Sequence, residues 1–237
     1  NLAKADLTKA NLEGASLKDT NLQEAVFLAA RMQGANLLGT NLWKANLEGV
    51  NLKGNNLEGA NFEGANLREA NLEETRLLGV SLNYANLGMA KLERVNLEGV
   101  WLKGSNLEGA RLREASLREA SLERANLQEA NLQGADLTIT RFWHANLTNA
   151  NLEGANLEGA DLQEANLGKT DLQGANLTKA NLTKANLEGV SLVGADLKDT
   201  NLKNANLSGT NFESANLENT NLSGTNFGRA NLQSANL

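Results

Sequence analysis

A five-residue beat runs through this chain without a slip, and no other feature constrains its fold as strongly. At every position whose number leaves remainder two on division by five, from Leu2 to Leu237, the residue is large and apolar: 42 Leu, 5 Phe and Met32 in 48 places. Positions divisible by five hold 31 Ala among 47, and the residue between that Ala and the next Leu is Asn in 31 of 48 cases. There is no proline, and no insertion or linker disturbs the register.

A helix cannot use this pattern. Five residues advance an α-helix by about 500°, so successive leucines would spread around the cylinder. A long strand fails as well, because its faces alternate every two residues. A short in-out-in segment followed by a corner does fit: in Ala160-Asp161-Leu162, Ala and Leu point inward and Asp outward, and Gln163-Glu164 turn the chain. Glycine agrees, since 19 of 22 occupy the last place before the next inward small residue, where a type II turn needs positive φ. If each quintet makes a right angle, four close a square coil of 20 residues, and coils stack by parallel hydrogen bonds about 4.8 Å apart. The chain is then one domain over residues 1–237, about 12 coils and roughly 57 Å long. Burying a Leu contributes roughly 1.5–3 kcal/mol, while ordering each residue costs roughly 1–2. Stability must therefore come from coils adding along a stack.

The phrase A-(N/D)-L-x-x, as in "ANLEGANLEGADLQEANL" from 150 to 167, resembles the pentapeptide-repeat family, and the resemblance covers the whole chain. It implies an all-β, right-handed quadrilateral β-helix; the hand comes from the family, not from the period. Most members have no assigned activity. A minority resemble B-DNA in shape and charge and bind DNA gyrase.

With four quintets to a coil, residue number modulo 20 names the face. Call the side centred on Leu2, Leu22 and Leu42 the first face, and those on the Leu7, Leu12 and Leu17 series the second, third and fourth. Trp43, Tyr84, Trp101, Arg141, Trp143 and His144 all fall on the first face, which therefore carries every Trp, the only Tyr and the only His. Inward positions leading into it are unusually bulky: Thr20, Thr40, Val80, Val100, Thr140, Thr200 and Thr220. It holds 7 basic and 5 acidic residues, against 5 and 9 on the fourth face. Trp, Tyr and Arg are enriched at protein interfaces, so these six residues are the candidate protein-binding wall.

Other marks are weaker. Val26, Leu28 and Leu38 are outward apolar residues, read as tolerated surface. Lys91, Arg94, Arg111 and Arg113 lie among Glu93 and Glu114 on the third face, a pattern expected to form surface ion pairs of small individual value. Asn55, at an inward place, needs partners for its amide.

Little points to chemistry. Flat walls over a Leu/Ala core leave no concave site, and no serine or cysteine stands to join His144 and Glu164 as a nucleophile set. One His and no Cys give no metal-ligand cluster, and no cofactor is expected. The formal charge of −6 opposes direct nucleic-acid binding, and no apolar run spans a bilayer. The chain begins at Asn1 and stops in mid-phrase at Leu237, so we expect a piece of a longer polypeptide, with no capping helix in this stretch. Bare ends would allow end-to-end or edge self-association. The leading expectation is a non-catalytic scaffold that presents the wall to another protein. A DNA-mimic regulator of a type II topoisomerase and a passive rigid spacer are the alternatives.

Overall fold

A computed structural model describes residues 1–237. Parallel bridges link each residue of the Asn column to the one twenty positions later, from Asp6↔Val26 to Asn216↔Asn236. That pairing is the square coil in its simplest statement, since every fourth quintet returns to the same wall. No helix interrupts it. One core of 72 buried residues runs from Leu17 to Leu217, a column of Leu and Phe layered with Ala.

Quintet 156–160 shows why this sequence folds this way, because all five of its amides are accounted for. Asn156 N–H donates down to Ala135 O at 2.9 Å, Leu157 N–H donates up to Asn176 O at 2.7 Å, and Gly159 N–H donates up to Thr178 O at 2.9 Å. Ala160 N–H closes the turn on Leu157 O at 3.0 Å. Only Glu158 N–H has no backbone acceptor, and the Asn156 side chain supplies one, Oδ1 at 3.2 Å. Buried amides must be paired, so Asn or Asp recurs at this place because its side-chain carbonyl completes the set. The same amides also stack: on the second face Asn66 Nδ2 donates to Asn46 Oδ1, Asn86 to Asn66, Asn106 to Asn86 and Asn126 to Asn106, at 3.1–3.2 Å.

The corners depart from the sequence expectation in one respect. Positive φ is found at 19 glycines, but also at 28 other residues in the same place, including Ile139 at 57°. The conformation persists whatever the side chain, even at Ala29 and Glu74, where the turn bonds Ala30 N–H to Phe27 O and Thr75 N–H to Leu72 O remain. Glycine's other use is room: a Cβ on Gly104 would come within 2.8 Å of the Tyr84 ring from the coil below.

Inward threonines are accommodated by a bond across the seam between coils. Thr40, Thr140 and Thr200 send Oγ1 to the carbonyls of Leu17, Leu117 and Leu177 on the preceding coil. Valine has no such hydroxyl.

Two seams lack part of the ladder. Between coils 21–40 and 41–60 on the third face, the inter-coil backbone bonds due from Ala29, Met32, Gly34, Asn51 and Asn56 N–H fall outside ordinary hydrogen-bond geometry, although the pairings Arg31↔Asn51 and Asn36↔Asn56 persist. Val50 and Asn55 stand at the two corners there where Ala is usual. Asn55 is fully buried and fills the breach: Nδ2 donates to Met32 O at 2.8 Å, and Oδ1 accepts from Gly34 N–H at 2.9 Å. Between coils 61–80 and 81–100 on the fourth face, the bonds due from Glu74, Leu77, Gly79, Asn96 and Trp101 N–H fall outside ordinary hydrogen-bond geometry, although the pairings Arg76↔Asn96 and Ser81↔Trp101 persist. Here Thr75 lies under Val95 and Val80 under Val100, so both corners are overfilled on both coils. No side chain bridges this breach.

Candidate functional site: an aromatic wall

The twenty-residue register brings all six wall residues to one side. Trp101 and Arg141 occupy the column of bridged residues, Trp101 pairing with Ser81 and Ser121 and Arg141 with Ser121 and Asp161. Trp43 and Trp143 share the next outward column, five coils apart, about 24 Å by strand spacing. Tyr84 and His144 sit on the corner column with φ of 58° and 56°. Tyr84 is 59% exposed, Trp101 54% and Trp143 39%, and Trp43 is half-buried.

Trp101 and Arg141 stand where Asn normally caps an amide, so each carries a structural cost. For Trp101 the chain compensates from elsewhere: Lys103 N–H is accepted by Asn83 Oδ1 of the coil below at 2.9 Å.

The rings are flanked by cations. Lys44 Nζ lies 4.2 Å from the Trp43 ring centroid, and Arg124 Cζ lies 5.3 Å from that of Trp143, both within cation–π range. The Trp143 and His144 rings are 4.1 Å apart and tilted by 50°. His144 Nε2 reaches Glu164 Oε2 at 3.4 Å, and Lys184 Nζ holds the other oxygen at 3.2 Å. Arg124, also a coil neighbour of His144, thus turns to the indole and leaves His144 to Glu164. Lys103, Glu123, Arg124 and Trp143 surround a shallow hollow of about 250 Å³. Arg141 Nε stands 3.9 Å from Glu123.

No group of three or more His, Cys, Asp or Glu comes together as a metal site. No helix is long and apolar enough to cross a membrane. Half of the basic cluster on the third face forms the expected ion pairs, Arg94 Nε to Glu114 at 2.7 Å and Arg113 Nε to the same carboxylate at 3.4 Å, while Lys91, Arg111 and Glu93 form none. The hydrogen bond from Arg94 holds the Glu114 carboxyl below its ordinary value and raises that of Arg94. Nearby, hydrogen bonds to Glu74 and Glu73 raise Lys53.

Sequence reasoning missed a cleft of about 310 Å³ on the fourth face, lined by Glu58, Thr75, Arg76, Leu77, Leu78, Asn96 and Glu98. Leu78 beside it is 72% exposed. The signal was present in Thr75, Val80, Val95 and Val100, inward residues larger than Ala that meet on one face.

A square, helix-free solenoid with a five-residue beat, a filled core and a decorated outer wall defines a distinct class of repeat protein. The family model described as Pentapeptide repeats (8 copies) matches residues 1–39, 30–68, 60–99, 105–143, 140–179, 180–219 and 210–237. The chain belongs to the pentapeptide repeat family, whose members fold as right-handed quadrilateral β-helices. It is similar to HetL, a pentapeptide repeat protein involved in heterocyst differentiation regulation from the cyanobacterium Nostoc sp. strain PCC 7120, at 34% identity and TM-score 0.65 over 81% of this chain and 89% of that one. It is also similar to the pentapeptide repeat protein Rfr23 from the cyanobacterium Cyanothece 51142, at 39% identity and TM-score 0.38 over 38% of this chain and 63% of that one. QnrB1, a plasmid-mediated fluoroquinolone resistance protein, matches at 19% identity and TM-score 0.37 over 81% of this chain and 88% of that one. Comparison with curated protein sequences finds no match.

Proposed function

We propose that this chain is a non-catalytic scaffold whose first face docks another protein. Members of its family are generally non-enzymatic, and nothing on the wall converges as a catalytic set. The reading is carried by one observation: Trp101 and Arg141 displace the capping residue on the same face that exposes Tyr84 and Trp143. Large aromatic and Arg side chains supply contact area at small entropic cost. The wall has a slight basic excess, so it suits a partner surface with apolar patches rimmed by carboxylates. HetL, a relative involved in heterocyst differentiation regulation, is in keeping with a regulatory use of such a rod. The topoisomerase reading needs a continuous acidic wall. Here carboxylates are interleaved with cations, as in Arg76–Glu58 at 2.6 Å and Lys198–Glu218 at 3.1 Å, which weakens it.

The test replaces Trp43, Trp101 and Trp143 with Ala together and compares captured partners by cross-linking. Loss of a specific partner from a rod with unchanged thermal unfolding supports the wall. An unchanged partner set removes it and favours the passive spacer. Inhibition of gyrase supercoiling by the intact rod would revive the DNA-mimic reading.

A further inference from the structure

The seam between coils 61–80 and 81–100 combines three observations on one face. Five ladder bonds there fall outside ordinary hydrogen-bond geometry while the strands stay paired, a cleft of about 310 Å³ opens beside them, and Leu78 stands 72% exposed at its lip. The cause is steric. Inward side chains lean toward the preceding coil, as Thr140 shows by reaching Leu117 O. Val95 therefore meets Thr75 and Val100 meets Val80, and the two corners wedge the fourth face apart. The strain spreads into adjoining turns: Val95 N–H to Leu92 O is 3.3 Å, Val80 N–H to Leu77 O is 3.2 Å and Thr75 N–H to Leu72 O is 3.3 Å, against 2.9–3.0 Å for Ala110, Ala120 and Ala130. Overfilled interiors displace backbone in this way. Arg76 keeps its parallel pairing with Asn96, so the gap is narrower than an inserted strand. It has room for several waters at about 30 Å³ each, and these can take the freed amides.

We propose that this seam is a built-in hinge: the rod opens on its fourth face by local separation of coil 61–80 from coil 81–100, with the first three faces acting as the pivot. The other seams remain shut because their ladders are complete or, at Asn55, because a side-chain amide ties Gly34 N–H and Met32 O across the gap. Each opening uncovers the core-facing Leu77, 2% exposed in the closed rod, together with Leu78. Regions that open locally are those with few backbone bonds and weak packing.

Two measurements on the whole chain test the hinge. Hydrogen exchange should be roughly tenfold or more faster at the amides of Leu77, Gly79, Asn96 and Trp101 than at those of Leu97, Gly99, Ser116 and Ser121, which are bonded one coil up. The paired variant V95A/V100A, which removes the upper wedge, should bring the two sets together. If that variant does not fold, single cysteines decide. The chain has none of its own, so Leu77→Cys should react with a thiol reagent faster than Leu117→Cys, which occupies the same column at full burial. Equal exchange at the two sets of amides, or equal labelling of the two cysteines, overturns the proposal.

Discussion

The two broken seams make a controlled comparison, because each has five ladder bonds outside ordinary geometry and each is wedged at both corners of one face. They differ in what fills the breach. At the first, Asn55 turns its amide onto Met32 O and Gly34 N–H, so a buried polar residue ties the two coils together and satisfies one of the five amides. At the second, Val80, Val95 and Val100 have nothing to offer, and the face stands open beside Leu78. Oversized inward residues at both corners of one face thus weaken a seam, and a side chain that bonds across it partly repairs it, whereas Val190, alone at its corner, leaves the ladder complete.

The largest expected effect breaks the first seam. Asn55→Leu keeps the wedge but leaves Met32 O and Gly34 N–H without partners, at about 1–3 kcal/mol each. Urea unfolding should show a loss of roughly 2–4 kcal/mol, and the third face should begin to exchange like the fourth. Asn55→Ala should cost far less, since the family's usual small residue lets the coils close. Equal losses for the two variants would refute the wedge argument.

Thr140→Val removes the hydroxyl that spans to Leu117 O at 2.7 Å and turns a fastened corner into one like Val100. A loss of about 1–2 kcal/mol in thermal or urea unfolding is expected. Val100→Thr is the mirror change: its hydroxyl would reach Leu77 O, twenty-three residues back, as Thr40 reaches Leu17 O. A gain of about 0.5–1 kcal/mol, with slower exchange at Leu77, would show that one hydroxyl partly closes the hinge. No gain would mean that four crowded side chains, not a missing bond, keep the seam apart.

The smallest effect concerns the ion pairs on the third face. The Glu114 carboxyl is lowered by its hydrogen bond from Arg94, so its contribution is present above the ordinary carboxylate range. It is lost as pH falls through the lowered value. The stability difference between wild type and Glu114→Gln should be constant near neutrality and vanish in acid. A difference that instead grew on acidification would contradict the assignment.

Much of this was legible before any coordinates. Residue number modulo 20 put Trp43, Tyr84, Trp101, Arg141, Trp143 and His144 on one wall, and the bridges place them there. The need of Asn55 for partners was legible too, but not their identity, because Met32 and Gly34 are its neighbours only through the stack. The corner conformation was half legible. Glycine pointed to positive φ, yet Ile139 and His144 adopt it as well, since the bond that closes the turn can hold a corner that intrinsic preference would not. The rescue of Lys103 N–H by Asn83 left no trace in the five-residue pattern, because donor and acceptor are twenty residues apart.

What the sequence determined by itself is the repeat: a Leu or Phe inward, a small residue at the corner and an Asn to cap the one amide that the backbone cannot satisfy. These are local requirements, and a single quintet states them. What only the tertiary structure decided is how neighbouring coils tolerate departures from that rule. Whether an inward Thr, Asn or Val fastens, repairs or parts a seam depends on the residues stacked beneath it and on the other corner of its face, and those come together only when the coil has closed.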